Sequence, residues 1–166
     1  MSRHQGSSVW SRFGDVFGRH RLLQLMSMYP PYLGAGIRVT SVTDDFQTID
    51  VAMQLHTWNM NYVGTHFGGS LYTMCDPFYM IILLEKLGRD YIVWDKAATI
   101  QFKKPGRGRV TARFHVSAEQ LEVVRATTAA DGKCEPTFVV EVKDAEGDVI
   151  ARVEKVLYVR RRPTDD

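Results

Sequence analysis

A lone carboxylate in a long apolar run constrains this chain more than any other feature. Between Ser70 and Leu84 the one charged residue is Asp76, set among Leu71, Tyr72, Met74, Cys75, Phe78, Tyr79 and a string of aliphatic side chains. Apolar residues on nearly every side predict a helix buried on more than one face. An ionised carboxylate taken out of water without partners is strongly disfavoured. Asp76 must therefore either be stabilised in the core or open into a cavity. The helix is expected from about Gly68 to Leu87, with Gly88 as its stop, and Pro77 inside it predicts a kink where a backbone hydrogen bond is lost.

The flanking sequence predicts a sheet around that helix. Ile37, Val39 and Ser41 alternate, then Ile49, Val51, Met53 and Leu55, with Asp44-Asp45 as the turn of a hairpin. A strand is expected near Ile92–Lys103, followed by a Pro105-Gly106 turn and a strand Arg109–Ser117 pairing back on it. Ser117-Ala118-Glu119-Gln120 reads as a capping box opening a short helix with Leu121 and Val124. Two further strands, about Glu135–Asp144 and Asp148–Arg160, close through the Ala145-Glu146-Gly147 turn. Short connections imply antiparallel pairing and an α+β class, a curved sheet wrapped around a long central helix. A second copy of the sheet would cover what remains of the helix. Residues 1–29 read as an N-terminal helical segment ended by Pro30-Pro31, residues 30–160 as the single main domain, and 161–166 as a solvated tail.

Composition excludes several classes. With 45% apolar and 24% charged residues the 166-residue chain is neither disordered nor fibrous. A net charge of +2 without a dense Lys/Arg stripe argues against nucleic acid as a partner. Cys75 and Cys134 lack metal-ligand spacing and the five histidines form no H-x-x-x-H pair, so no metal and no bound cofactor is expected. The N-terminal stretch lacks the apolar core of a signal peptide, and the run Leu71–Leu84 is too short and too polar to span a bilayer. A cytoplasmic protein with reduced thiols is the expectation.

The chemistry lies at the two ends of one motif. Gly68 and Gly69 open the helix, where unpaired N–H groups suit a carbonyl oxygen becoming an oxyanion and the missing side chains let a ligand approach. Asp76 follows seven residues after Gly69, close to two turns and roughly 10 Å along the axis. A carbonyl held by those amides is out of reach of Asp76 on the same helix, so if both act on one carbonyl they come from different chains. The basic turn Lys103, Lys104, Arg107, Arg109 is either a solvated turn or a site for anionic phosphates. Asp95 and Lys96 read as a structural ion pair or as pocket lining. Trp58, Tyr62, Phe67 and Tyr72 are assigned to the core, a dimer interface or an acyl chain.

The pattern Asn61-x-x-Gly64-Thr65-x-Phe67-Gly68-Gly69-x6-Asp76 resembles the hotdog-fold acyl-CoA thioesterases, in particular the branch that includes phenylacetyl-CoA thioesterase. Tyr32–Gly36, Phe102–Gly108 and Val142-x-Asp144-x-x-Gly147 are similar to other parts of that family, and Trp94–Ala98 with the Ser117–Thr128 helix looks like a poorly characterised thioesterase-like branch. The resemblance covers roughly residues 30–160. It implies a hotdog fold, a homodimer or a tetramer built as a dimer of dimers, and hydrolysis of an acyl-CoA or acyl-carrier thioester. Asp76 would be nucleophile or general base, Asn61 would position water or thioester, and the Gly69 amide would polarise the carbonyl. Thr65, His66, Phe67 and Gly68 would contact substrate, with Lys104 and Arg107 toward the phosphates. Phe67 stands where the family motif has histidine. The alternative is a non-catalytic acyl-CoA or lipid-binding module on the same fold.

Overall fold

The computed structural model describes Leu23 and residues 25–163. Most of the N-terminal helical segment expected over 1–29, and the last three residues of the tail, lie outside them. A short 3-10 turn, Met26–Met28, leads into helix α1, Pro30–Ala35. The turn ends at Met28, just before the proline pair, and the same pair opens this helix. The first helical positions need no N–H partner, and the fixed φ of proline suits them. Gly36 closes α1 at φ 76°, a left-handed conformation that glycine adopts without steric cost.

Strands β1 (Ile37–Val42) and β2 (Thr48–Gln54) form the expected hairpin, antiparallel from Ile37↔Met53 to Val42↔Ile49. The Asp45 carboxylate ties the turn, accepting from the Thr43 hydroxyl at 2.6 Å and the Gln47 amide at 3.0 Å. After a loop come α2 (Gly68–Thr73), α3 (Phe78–Leu87), β3 (Tyr91–Phe102) and β4 (Arg109–His115). Helix α4 (Ala118–Asp131) follows, then β5 (Lys133–Cys134), β6 (Thr137–Lys143) and β7 (Val149–Arg161). The capping box has both arms: the Gln120 amide donates to Ser117 Oγ at 3.2 Å, and the Ser117 amide to Gln120 Oε1 at 2.9 Å.

The sheet is antiparallel throughout, ordered β1-β2-β4-β6-β7-β3, with β5 on β7. One pairing differs from expectation. β4 does not fold back on β3; it pairs with β2 and β6, while β3 pairs with β7 along its length. The side chains explain the choice. Against β2, Val110, Ala112 and Phe114 meet Met53, Val51 and Ile49 on the inner face, while Arg113 meets Asp50 outside in a 2.7 Å ion pair. Cross-strand matching of that kind outweighs nearness in sequence.

The central helix is in two pieces. Residues 74–77 interrupt it, with the Cys75 amide donating to Tyr72 O and the Asp76 amide to Thr73 O. Pro77 offers no N–H and disfavours helical geometry at the residue before it, so the chain breaks there instead of bending. The two helices still fill the concave side of the curved sheet. Phe78, Tyr79, Ile82 and Leu83 are buried against Phe114, Phe138, Val140 and Leu157. The Tyr79 ring stacks on Phe138 at 4.8 Å and meets Phe114 edge-on at 5.2 Å. This is the hotdog arrangement.

Candidate active site

The helix break places Asp76 at the margin of the core. Its side chain is 43% exposed, and Oδ1 accepts a hydrogen bond of 2.6 Å from Lys155 Nζ. Lys155 is 1% exposed, because β7 alternates and its inner face carries Val153, Lys155, Leu157 and Val159. The lysine thus points from the sheet into the apolar core, where an ammonium needs every donor used. Asp76 takes one donor, Asp95 Oδ1 lies 3.1 Å away, and the Tyr72 hydroxyl stands at 3.5 Å. Burial alone would pull the Lys155 pKa down, but the hydrogen bond and charge of Asp76, then those of Asp95, outweigh it and raise it above the ordinary lysine value.

Asp95 reaches this cluster through a β-bulge. The β3/β7 register slips between Asp95 and Ala97, with Asp95 opposite Leu157 and Ala98 opposite Lys155. The extra residue, Lys96, breaks the alternation and turns Asp95 toward Lys155. The structure therefore forms no Asp95–Lys96 pair: Lys96 leaves to join Glu135 at 2.6 Å, and Asp95 turns to Lys155. Asp95 Oδ1 is buried, and the Lys155 ammonium 3.1 Å away is its counter-charge. Burial pushes its pKa up; Lys155 opposes this, and the neighbouring Asp76 charge adds to it. The Tyr32 hydroxyl of α1 donates to the Asp76 backbone oxygen, fixing the break from the other side.

The second half of the motif is assembled elsewhere. Asn61 is used within its own loop: Nδ2 donates to Thr65 Oγ1 at 2.8 Å and His66 O at 3.2 Å, and Oδ1 accepts from the Val63 and Thr65 amides. Thr65 and His66 are buried. His66 Nε2 lies 3.0 Å from the Gly108 carbonyl oxygen, which only accepts, so Nε2 carries the proton. Burial lowers the His66 pKa, with the Gly108 bond opposing, and the ring is neutral. Its Nδ1 is buried with no partner among the described residues. Arg107 donates to Gly64 O at 3.2 Å, which brings the basic turn against this loop. Lys104 instead pairs with Asp148 at 2.5 Å.

Gly68 and Gly69 sit between two aromatic rings. A methyl added at Gly68 would meet Phe102 Cζ at 3.0 Å, and one at Gly69 would clash with Phe67 Cε1. Phe67 is 57% exposed and its ring folds back over Gly69. The backbone amides of both glycines have no hydrogen-bond acceptor among the described residues. Because α2 has only 6 residues, what these amides offer is hydrogen bonding, not the dipole of a long helix. Asp76 makes no hydrogen bond or ion pair with Asn61, Thr65, His66 or Arg107. Of the aromatics expected in the core or at an interface, Tyr62 and Phe67 are exposed, Trp58 stacks on His56 at 4.2 Å, and Tyr72 faces Lys155.

Residues 18–159 match the model of a domain of unknown function, DUF4442. The chain belongs to this family. Among curated proteins none matches the DUF4442 chain. Solved structures do. A Pseudomonas aeruginosa protein of unknown function, described as a probable thioesterase, is similar at 18% identity and a TM-score of 0.74, over 86% of this chain and 95% of that one. A Haemophilus influenzae thioesterase is similar at 13% identity and a TM-score of 0.63, over 88% and 94%. A Chlorobaculum tepidum protein of unknown function gives 17% identity and a TM-score of 0.67, over 86% and 93%. Identities this low establish the fold of the DUF4442 chain.

Lys155 escaped the sequence reading. The signal was present in Val153-Glu154-Lys155-Val156-Leu157, where strict alternation puts the lysine on the face of Val153 and Leu157. A charge at an inward position of a half-buried strand asks for a partner, and Asp76 is the one acid between Ser70 and Leu84.

Proposed function

We propose that this protein hydrolyses acyl thioesters of coenzyme A, with Asp76 as general base for water or as nucleophile. The observation that carries the reading is the position of Asp76. It is an accessible carboxylate at a helix break, oriented by a hydrogen bond from a buried ammonium. At 43% exposed, the side chain remains open to water and to a substrate while its counter-charge is buried. The Gly68 and Gly69 amides serve as oxyanion donors, and Arg107 lies on the same side for a phosphate. Asn61 serves by shaping the loop that delivers those glycines, since its amide is already saturated.

Asp76 and the glycine amides come to one carbonyl only across a subunit seam, so the working unit is a homodimer, alone or doubled into a tetramer. Support comes from β3, which ends the sheet with one side unpaired among the described residues, while Ala97, Ala98, Thr99, Gln101 and Phe102 are exposed. A long, weakly charged strand edge is a surface that proteins cover. The cytoplasm is the proposed location; among the described residues no helix is long and apolar enough to cross a membrane.

The test is a thiol-release assay over short, medium, long and aromatic acyl-CoAs, with Asp76→Ala alongside. Release by the wild type and none by the variant is expected; equal release by both removes Asp76 from the mechanism. A second reading, a non-catalytic acyl-CoA binder, is favoured by the Phe67 ring lying over Gly69. Tight acyl-CoA binding without thiol release over hours would select it.

A further inference from the structure

Lys155 offers one positive charge to two carboxylates. Asp76 Oδ1 at 2.6 Å and Asp95 Oδ1 at 3.1 Å contact the same Nζ, so the two oxygens are no farther apart than those distances combined. Neither acid pairs with a second cation among the described residues. The other groups facing the cluster are the Tyr72 hydroxyl from α2, the Tyr32 hydroxyl from α1 and the Cys75 thiol. Burial raises the Tyr32 pKa and takes that of Cys75 up to about 12, so both stay neutral at physiological pH. Net charge within the cluster is therefore negative unless one proton is held there. Two acids this close around one ammonium do not ionise independently.

We propose that Asp76, Asp95 and Lys155 titrate as one unit, in which Lys155 and Asp95 are positioning residues for Asp76. Lys155 keeps one carboxylate ionised, and Asp95 sets how readily Asp76 accepts a proton. The inference rests on the thioesterase reading and gives it an acid–base cycle. Water oxygen bonds to the acyl carbon as its proton passes to Asp76. The carbon–sulfur bond then breaks, and the departing thiolate takes that proton back from the unit. The acid product keeps the second hydrogen of water, and the unit returns to its starting charge. Asp95, the more buried of the two acids at 22% exposed against 43%, is the place where the proton rests in between.

The experiment is a carbon-13 titration of the aspartate carboxyl groups in the full chain, wild type against Asp95→Asn and Lys155→Met, with the pH profile of thioester hydrolysis measured in parallel. In the wild type the Asp76 and Asp95 resonances should each show two inflections at the same pH values. In Asp95→Asn the Asp76 curve should become single and move to lower pH, since a repelling charge is gone. Lys155→Met should move it upward. The acid limb of kcat/KM should follow. Independent single inflections in the wild type, or an Asp76 curve unmoved in Asp95→Asn, overturn the proposal whether or not Lys155→Met folds. Coupled titration without hydrolysis of any acyl-CoA upholds the unit and refutes the thioesterase reading. Hydrolysis that needs Asp76 but keeps its acid limb in Asp95→Asn does the reverse.

Discussion

Replacing Asp76 by Asn separates the two roles of that carboxylate, because structure and chemistry make different demands on it. The amide oxygen of Asn still accepts from Lys155, which keeps Asp95 at 3.1 Å as its counter-charge. What is lost is the difference between a charged and a neutral hydrogen bond, about 1 kcal/mol. Exposure of 43% screens that loss further. The expected fall in Tm is about 2–4 °C for a chain of this size. Lys155→Met is different in kind. It removes the ammonium from between two acids and leaves Asp95 only 22% exposed without its counter-charge, a change that costs about 3–5 kcal/mol. Calorimetry on the two variants should therefore give a small and a large shift. Turnover should show the opposite order of surprise: Asp76→Asn, nearly native in stability, should lose about 100-fold or more in kcat, the contribution of a positioned general base. Asp76→Asn as unstable as Lys155→Met, or stable but fully active, would refute the assignment of Asp76 as a working rather than a structural acid.

The other sites give sharper single tests. Gly69→Ala should fold, because Phe67 is exposed and its ring can swing from the added methyl, yet lose thioester turnover by roughly tenfold or more as the amide is shielded. Gly106→Ala has no such escape: its methyl would lie 2.8 Å from Ile150 Cγ2 and 3.3 Å from His66 Cδ2, both in buried residues, and urea unfolding should report a loss of about 1–3 kcal/mol. The depressed His66 pKa means the unfolded chain binds the proton more readily. Its stabilisation is complete above the ordinary histidine value of 6.5 and lost as pH falls below it. Urea midpoints at pH 8 and pH 5 should differ in the wild type and differ less in His66→Gln, which retains a donor for Gly108 O; equal slopes would exclude the buried neutral ring. Light scattering should find at least twice the chain mass at micromolar concentration, and a monomer there would undo the two-chain site.

The fold was legible where periodicity and side-chain chemistry agree. Six of the strands were legible in apolar patterning and turn residues, and Ser117 with Gln120 announced α4. The pairing of β4 was not legible from proximity. It follows from matching Val110, Ala112 and Phe114 to Met53, Val51 and Ile49, a long-range fit that turn length does not encode. Helix α1 was not legible for a local reason: proline stops one element and opens another equally well, and the stop alone was read at Pro30.

The site was legible at Asp76 and illegible at its partners, and the physical reason is the same in each case. Asp95 and Lys96 are neighbours in sequence, so a plain strand sends them to opposite faces and suggests no more than a local pair. The bulge at Lys96 breaks that alternation and aims Asp95 inward, toward a lysine sixty residues further along the chain. Pro77 does the equivalent on the helix, ending α2 just where an unbroken helix would have carried Asp76 past the sheet. Two irregularities, one per element, are thus what bring both acids to Lys155. Straightening either should scatter the cluster while leaving the core intact. Pro77→Ala tests this: Tyr32 and the buried α3 residues still anchor the helix, while an Asp76 drawn into regular helix would lose its 2.6 Å contact and, with it, turnover.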